Sequence, residues 1–273
     1  MTIRVGHSPD ADDAFMFWAL ANGQVESPFQ FEHILKDIQT LNDWAREGLL
    51  ETTAVSVHAY AHVADKYAVL RHGGSFGDGY GPMLVSREPL DKEAIAGLEI
   101  AVPGPLTSAY LALQLYLPNP KVKFLPFDQI VPAVQRGDIP VGLIIHESQL
   151  THQQEGLHLI EDLGAWWKRE TNGLPLPLGV NVVRKDLGDE AMQEIARCMR
   201  ETIRLGLERR TEALAYAMQF GRGLDVETAD QFVGMYVNEL TQDMGERGLQ
   251  AIRLFLQMGA ERGLVPPVAL RLA

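Results

Sequence analysis

The sequence contains a single cysteine, no long apolar run and few basic side chains, and each absence excludes a class of protein. Cys198 alone cannot form an internal disulfide or a cysteine metal cluster. No stretch reaches the ~18 consecutive apolar residues that a membrane-spanning helix needs. With 24 Lys and Arg against 36 Asp and Glu, the net charge is −12, whereas nucleic acids and anionic membranes attract basic surfaces. We therefore predict no nucleic-acid or membrane partner. A small anion remains a candidate ligand, because a few local donors can hold it.

The first residues, Met1-Thr2-Ile3-Arg4-Val5-Gly6, enter directly into a strand-like segment. They contain no basic segment followed by a long apolar segment and a small-residue cleavage site, as an export signal would. From this pattern we expect the protein to be cytoplasmic. The sequence gives no indication of the oligomeric state.

Strand-like and helix-like segments alternate over the first two thirds of the chain, which predicts an α/β protein with largely parallel sheets. From 189 to 263 the apolar residues follow only a helical period, as at Ile195, Met199 and Ile203. Such helices need a sheet or a partner to cover. We predict a first lobe over 1–85, a second lobe over 86–180, and C-terminal helices over 181–273 that pack on the first lobe.

A short apolar run, Val141 to Ile145, ends abruptly in His146-Glu147-Ser148. The run is typical of a buried strand in a parallel sheet, and open α/β sheets bind ligands at the carboxyl ends of such strands. A histidine has an ordinary pKa near 6.5 and is well suited to moving a proton at neutral pH. His146 is therefore a candidate base. The alternative is a structural histidine, with Glu147 as its partner or as the start of a helix.

Two further turns lead from a predicted strand into a predicted helix. The carboxylates of the turn from Ser8 to Asp13 could cap the following helix, or they could bind a divalent metal or the hydroxyls of a sugar. Thr107 and Ser108 offer hydroxyls beside free backbone N–H groups, which suits a carboxylate, although ordinary capping explains one hydroxyl equally well. No nucleotide-binding glycine motif, His-Glu-x-x-His pair or Gly-x-Ser-x-Gly elbow occurs.

Several motifs occur in one order along the chain, and together they resemble a known family. They are Ser8-Pro9 with Asp13 and Phe15; Asp37 with Thr40-Leu41-Asn42; Ser56 before Tyr60; Val102-Pro103-Gly104 with Thr107-Ser108-Ala109-Tyr110; Gly142 to Ser148; Asp162 to Trp167; and Leu174 to Gly179. The chain is similar to the 1,4-dihydroxy-6-naphthoate synthases of the futalosine route to menaquinone. The resemblance covers residues 3 to about 260.

The resemblance implies the two-lobed fold of type II periplasmic binding proteins, with a central cleft. It implies a lyase that converts cyclic dehypoxanthine futalosine to 1,4-dihydroxy-6-naphthoate and releases a dihydroxyacetone fragment, without a cofactor or a metal. In that family the histidine matching His146 is the proposed base. The substrate-binding positions carried over to this chain are Ser8, Asn42, Ala54, Val55, Ser56, Thr107, Ser108, Ala109 and Leu176.

The chain departs from the family pattern at two places. Family members commonly have Ser-Pro-Cys-Pro-Asn-Asp-Thr-Phe over the positions of Ser8 to Phe15, and this chain has acids, Asp10 and Asp12, in place of the Cys and the Asn. Family members also often have a lysine at the position of Ala54. Two added acids and one missing cation are expected to weaken the binding of an anionic substrate. The related chorismate dehydratases share the fold but not the His-Glu-Ser strand end, so they are the second candidate. A non-catalytic small-anion-binding protein is the third candidate, and the missing export signal counts against it.

Overall fold

The computed structural model describes residues 1–221 and 225–273. In this part of the chain the strands form two separate sheets, and helices cover their faces. The predicted α/β class is confirmed, but the prediction of largely parallel sheets is wrong, because parallel and antiparallel strand pairs are mixed in both sheets.

The first sheet is built from the beginning of the chain together with one strand from much later. Its strands are β1 (Thr2–His7), β2 (Gln30–Leu35), β3 (Thr52–Ser56), β4 (Tyr67–Val69), β5 (Ser75–Gly77) and β11 (Leu176–Arg184). The order is β2-β1-β3-β11-β4, with β5 also paired to β11. β1 runs parallel to β2 and β3, whereas β11 is antiparallel to its three neighbours. The alternation in β1 buries Ile3 and Val5 in the core.

The second sheet is formed from the middle of the chain. Its strands are β6 (Met83–Ser86), β7 (Glu99–Val102), β8 (Lys121–Phe124), β9 (Val141–Ile144) and β10 (His158–Asp162), in the order β10-β6-β9-β7-β8. All four residues of β9 are buried. β9 is parallel to β7 and antiparallel to β6, so its apolar composition fits a central strand covered on both faces.

The chain passes from the first sheet to the second between β5 and β6, and it returns between β10 and β11. The lobe boundaries predicted at 85 and 180 lie inside β6 and β11, so the crossings begin a few residues earlier than the apolar pattern indicated. The two connections touch each other, because the N–H of Leu163 donates to the carbonyl oxygen of Pro82 at 2.9 Å.

The helices of the described residues lie against the two sheets and against one another. They are α1 (Ala11–Ala21), α2 (Ile38–Glu47), α3 (Val57–Tyr60), α4 (Lys92–Ile95), α5 (Ser108–Tyr116), α6 (Phe127–Arg136), α7 (Ser148–Thr151), α8 (Leu163–Glu170), α9 (Asp189–Glu208), α10 (Arg210–Ala217), α11 (Val226–Tyr236), α12 (Glu239–Gln242) and α13 (Gly245–Glu261). α1 packs against α9, α10 and α11, and the N–H of Leu20 donates to Thr202 Oγ1 at 2.9 Å. Within residues 1–221 and 225–273, no helix combines the length and the apolar content that crossing a membrane requires.

Candidate active site

A cavity of about 900 Å³, including the space open to solvent, is lined by residues that follow strands of both sheets. Ser8 and Asp10 follow β1, His146 follows β9, and Thr107 and Ser108 begin α5 after β7. These positions are at the carboxyl ends of parallel strands, where open α/β sheets bind their ligands. The cavity is large enough for a small molecule of the usual size.

His146 lies in this cavity with its ring held on two sides. Its Nδ1 atom is 3.2 Å from Oδ2 of Asp10, and the exposed fractions of the two side chains are 14% and 4%. The ring of Phe127, the first residue of α6, lies with its centroid 4.1 Å from that of the imidazole. The strand-end histidine predicted from sequence is therefore accessible from the cavity, as a base must be, and has an acidic neighbour that the sequence did not indicate.

The turn after β1 does not cap α1 in the ordinary way. Asp10 occupies the position before the first helical residue, where an aspartate normally accepts an N–H of the first turn, but its side chain makes no capping hydrogen bond. Its Oδ2 atom instead accepts a hydrogen bond from the hydroxyl of Ser8. Asp13, in the first turn of α1, accepts the backbone N–H of Ser8 at 2.7 Å.

Burial suppresses the negative charge of Asp12 and Asp13 in this turn. Removal from water raises the pKa of Asp12 well above its ordinary range, and the neighbouring Asp13, Asp10 and Glu147 raise it further. Burial likewise raises the pKa of Asp13 to about 7, although the hydrogen bond from the N–H of Ser8 opposes the shift. Of the two added acids, Asp12 therefore repels an anionic ligand less than an ionised carboxylate would.

The raised pKa of Asp13 predicts a pH-dependent loss of stability. The ordinary pKa is 3.8 and the folded-state pKa is about 7, so the folded protein keeps a proton that the unfolded chain releases between these values. The free energy of unfolding therefore falls as the pH rises from about 4 to about 7. Asp13→Asn should retain the hydrogen bond from Ser8 and lose less stability over this range. Urea unfolding of both proteins between about pH 4 and 8 measures the difference, and parallel curves would contradict the assignment.

Most of the residues predicted to bind substrate line the cavity together with His146. They are Ser8, Ala54, Ser56, Thr107, Ser108 and Ala109.

Three of the predicted residues lie outside the lining. Val55 is fully buried, because neighbouring strand residues point to opposite faces and Ala54 and Ser56 occupy the cavity side. Leu176 is also fully buried, and an irregularity of the pairing between Pro177 and Gly179 leaves Leu178 on the cavity instead.

Asn42, the third of these residues, is fully buried in α2 and holds Ser56 in place. Its Nδ2 group donates to Ser56 Oγ at 3.0 Å, and its Oδ1 atom accepts the N–H of Ser56 at 2.8 Å. Both ends of the amide are therefore used by one residue of the cavity wall. Asn42 fixes the position of Ser56 and does not line the cavity.

The hydroxyls at the start of α5 are already engaged with the backbone. Thr107 Oγ1 donates to the carbonyl of Gly104 at 2.9 Å and accepts the N–H of Tyr110 at 3.3 Å, so Thr107 caps α5. Ser108 Oγ donates to the carbonyl of Leu178 at 2.6 Å. At the start of α5, the N–H groups of Ser108 and Ala109 have no acceptor within the helix, whereas the N–H of Tyr110 is bound to Thr107. The donors left for a ligand are therefore these N–H groups and not the hydroxyls.

Other residues of the lining were not predicted from sequence. They come from the turn after β4, from α11 and from the residues that follow α11: Gly73, Gly74, Ser75, Phe232, Tyr236, Val237 and Thr241. The glycine-rich turn was visible in the sequence, but nothing indicated that it faced the cavity. Among residues 1–221 and 225–273, no group of three or more His, Cys, Asp and Glu side chains is arranged to hold a metal ion.

The fold is that of the periplasmic binding proteins. The alkanesulfonate-binding protein of Xanthomonas axonopodis pv. citri, solved with bound MOPS, matches with a TM-score of 0.73 over 99% of this chain and 96% of that one. The sequence identity is 12%, so this likeness concerns the fold alone. The structure is thus of the two-lobed binding-protein class, with a cavity of ligand size between the lobes.

Sequence comparison defines the family within that class. The profile of the family described as Menaquinone biosynthesis matches residues 3–261. A 1,4-dihydroxy-6-naphthoate synthase of Thermus thermophilus is 44% identical over 266 residues, which is 97% of this chain and 96% of that protein. A crystal structure of a protein from Archaeoglobus fulgidus, also 44% identical, matches with a TM-score of 0.93 over 97% of this chain and 98% of that one. The chain belongs to the menaquinone biosynthesis family.

Proposed function

We propose that the protein is a 1,4-dihydroxy-6-naphthoate synthase. In this proposal it converts cyclic dehypoxanthine futalosine to 1,4-dihydroxy-6-naphthoate and releases a dihydroxyacetone fragment. The observation that carries the proposal is His146, an accessible histidine at the carboxyl end of β9 in a ligand-sized cavity. Membership of the menaquinone biosynthesis family supports the assignment.

In the proposed reaction His146 acts as a general base. It removes the proton from a hydroxyl of the sugar-derived part of the substrate, and the oxygen forms a carbonyl as the adjacent carbon–carbon bond breaks. The electron pair of that bond passes to the ring fragment as an enolate, which recovers a proton from the imidazolium. Tautomerisation of the new ring to an aromatic one drives the cleavage. The step is neutral in redox terms, so the proposal includes no cofactor.

The proposed partner is therefore a small anionic molecule, and the proposed location is the cytoplasm. Water must be kept from the reacting atoms, and a cavity between two lobes can exclude it when the lobes close. We propose that closure around the substrate also sets the distance from His146 to the reacting hydroxyl.

The substrate carboxylate is proposed to bind at the N–H groups of Ser108 and Ala109. Both residues line the cavity and stand in the first turn of α5. Backbone N–H groups and the helix dipole attract anions at such a position. No Lys or Arg is among the residues that line this cavity, so the backbone is the main source of positive potential for an anion there.

Replacing Ser108 with proline tests this binding mode. Proline lacks the N–H but is tolerated at the first helical position, and Thr107, with φ −73° and ψ 144°, has the conformation that a residue before proline prefers. A hydrogen bond to a charged group contributes about 1.5–3 kcal/mol, so Ser108→Pro should bind product at least ~10-fold more weakly than Ser108→Ala. The alanine variant is the matched control, since it also lacks the hydroxyl but keeps the N–H. Equal affinities in calorimetry would place the carboxylate elsewhere, for example near Ser56.

Incubation with cyclic dehypoxanthine futalosine tests the function itself. We expect 1,4-dihydroxy-6-naphthoate to form. Chromatography with mass detection measures it. Parallel incubation with chorismate tests the dehydratase alternative. Binding of the naphthoate without turnover of either compound would favour a non-catalytic anion-binding protein.

A further inference from the structure

We propose that Asp10 is the positioning residue of His146, so that the two side chains act as a carboxylate–imidazole dyad. This inference rests on the proposed function, because it assigns Asp10 a role in the chemistry of the same base. It is carried by the contact of 3.2 Å between Asp10 Oδ2 and His146 Nδ1 and by the burial of the Asp10 side chain.

Asp10 does not act as the helix cap that its position before α1 predicts. An aspartate before the first residue of a helix normally accepts an N–H of the first turn, but Asp10 does not cap α1. Its carboxylate is nevertheless buried, and a buried carboxylate is costly unless it has donors. Two donor groups face its Oδ2 atom, the hydroxyl of Ser8 and Nδ1 of His146. The orientation of Asp10 is therefore explained by these two groups and not by the helix.

The contact selects one form of the imidazole ring. An ionised carboxylate can only accept a hydrogen bond, so a neutral His146 facing it must carry its proton on Nδ1. The lone pair is then on Nε2, and Nε2 is the atom that can remove a proton from the substrate. Phe127 packs on the same ring, so the ring is held on one side by an aromatic residue and on the other by Asp10.

The dyad bridges the two sheets. Asp10 follows β1 of the first sheet, and His146 follows β9 of the second sheet. A change in the position of one sheet relative to the other would therefore separate the two side chains. The proposed dyad links orientation of the base to the arrangement of the lobes that encloses the cavity.

Asp10→Asn is the variant that tests the dyad. The amide has nearly the shape of the carboxylate, but it can donate to Nδ1 and so favour the ring form with the proton on Nε2, which has no lone pair on Nε2 to accept the substrate proton. We expect kcat to fall at least ~10-fold, while KM changes less than ~3-fold because substrate contacts remain. Asp91→Asn is the matched control, since Asp91 is an aspartate that does cap its helix, by accepting the N–H of Ala94 at 2.8 Å. Its kcat and KM should equal those of the wild type.

Nitrogen-15 NMR of the histidine rings, without substrate and at about pH 8.5 where an ordinary imidazole is neutral, gives a second readout. His146→Gln identifies the signals of this residue. We expect the proton on Nδ1 in the wild type and a shift toward Nε2 in Asp10→Asn, which a merely structural aspartate would not cause. The same ring form in both proteins, or an unchanged kcat, would overturn the dyad. If the wild type does not convert the proposed substrate, the proposed function fails, and the NMR comparison still decides whether Asp10 orients His146.

Discussion

His146→Ala should reduce turnover of cyclic dehypoxanthine futalosine by roughly 10²–10⁴-fold, which is the usual contribution of a positioned general base. The ring is accessible from the cavity and contacts Asp10 at 3.2 Å, so its loss removes the base without removing a large part of the core. Binding of the naphthoate product should be retained. Steady-state kinetics together with product-binding calorimetry measure the two effects separately.

The control for this variant is His158→Ala. His158 begins β10 of the same sheet, but its side chain is exposed and it is not among the residues that line the cavity. Its turnover should match that of the wild type. A folded His146→Ala protein with near-wild-type turnover would contradict the role of base, and a His146→Ala protein that cannot fold would indicate a structural histidine instead.

The sequence predicted the architecture well because its strongest signals are local. The apolar run of β9 ending at His146 follows from burial of that strand on both faces, and the helical period after residue 189 follows from burial of one helix face. The grouping of Ser8, Ser56 and Thr107 in one cavity was implied by the family resemblance and not by a local pattern, because Thr107 follows a strand of the second sheet whereas Ser8 and Ser56 belong to the first.

The details that sequence did not predict depend on contacts between distant residues. The partner of Asp10 is 136 positions away in the other sheet, and nothing in the turn from Ser8 to Asp13 distinguishes an aspartate that caps a helix from one that faces a histidine. Asn42 carries a polar side chain that suits substrate binding, but Ser56 uses both ends of its amide. A Pro-Leu-Pro-Leu pattern cannot show that Leu178 lines the cavity in place of Leu176, because this depends on the pairing irregularity between Pro177 and Gly179.

The close approach of the two connections between the sheets depends on Gly164, the second residue of α8. A Cβ atom at this position would lie 1.9 Å from the carbonyl oxygen of Tyr80 and 2.7 Å from the nitrogen of Gly81. Both atoms belong to the backbone of the first connection, which cannot move aside as a flexible side chain can. The N–H of Leu163 also donates to the carbonyl of Pro82, so a displacement at Gly164 would strain this hydrogen bond as well.

Gly164→Ala should therefore lower the free energy of unfolding by about 3 kcal/mol or more, as overpacking of a tight site does. For a protein of this size that corresponds to a fall in the thermal midpoint of roughly 6–12 °C. Gly234→Ala in α11 is the matched control, because its Cβ would meet only the Arg210 side chain, at 3.5 Å, and alanine favours a helix interior over glycine. Calorimetry of both variants measures the difference, and a Gly164→Ala midpoint within ~2 °C of the wild type would show that the connections can separate at little cost. Any Gly164→Ala protein that folds should also lose turnover, because moving one sheet relative to the other separates Asp10 from His146.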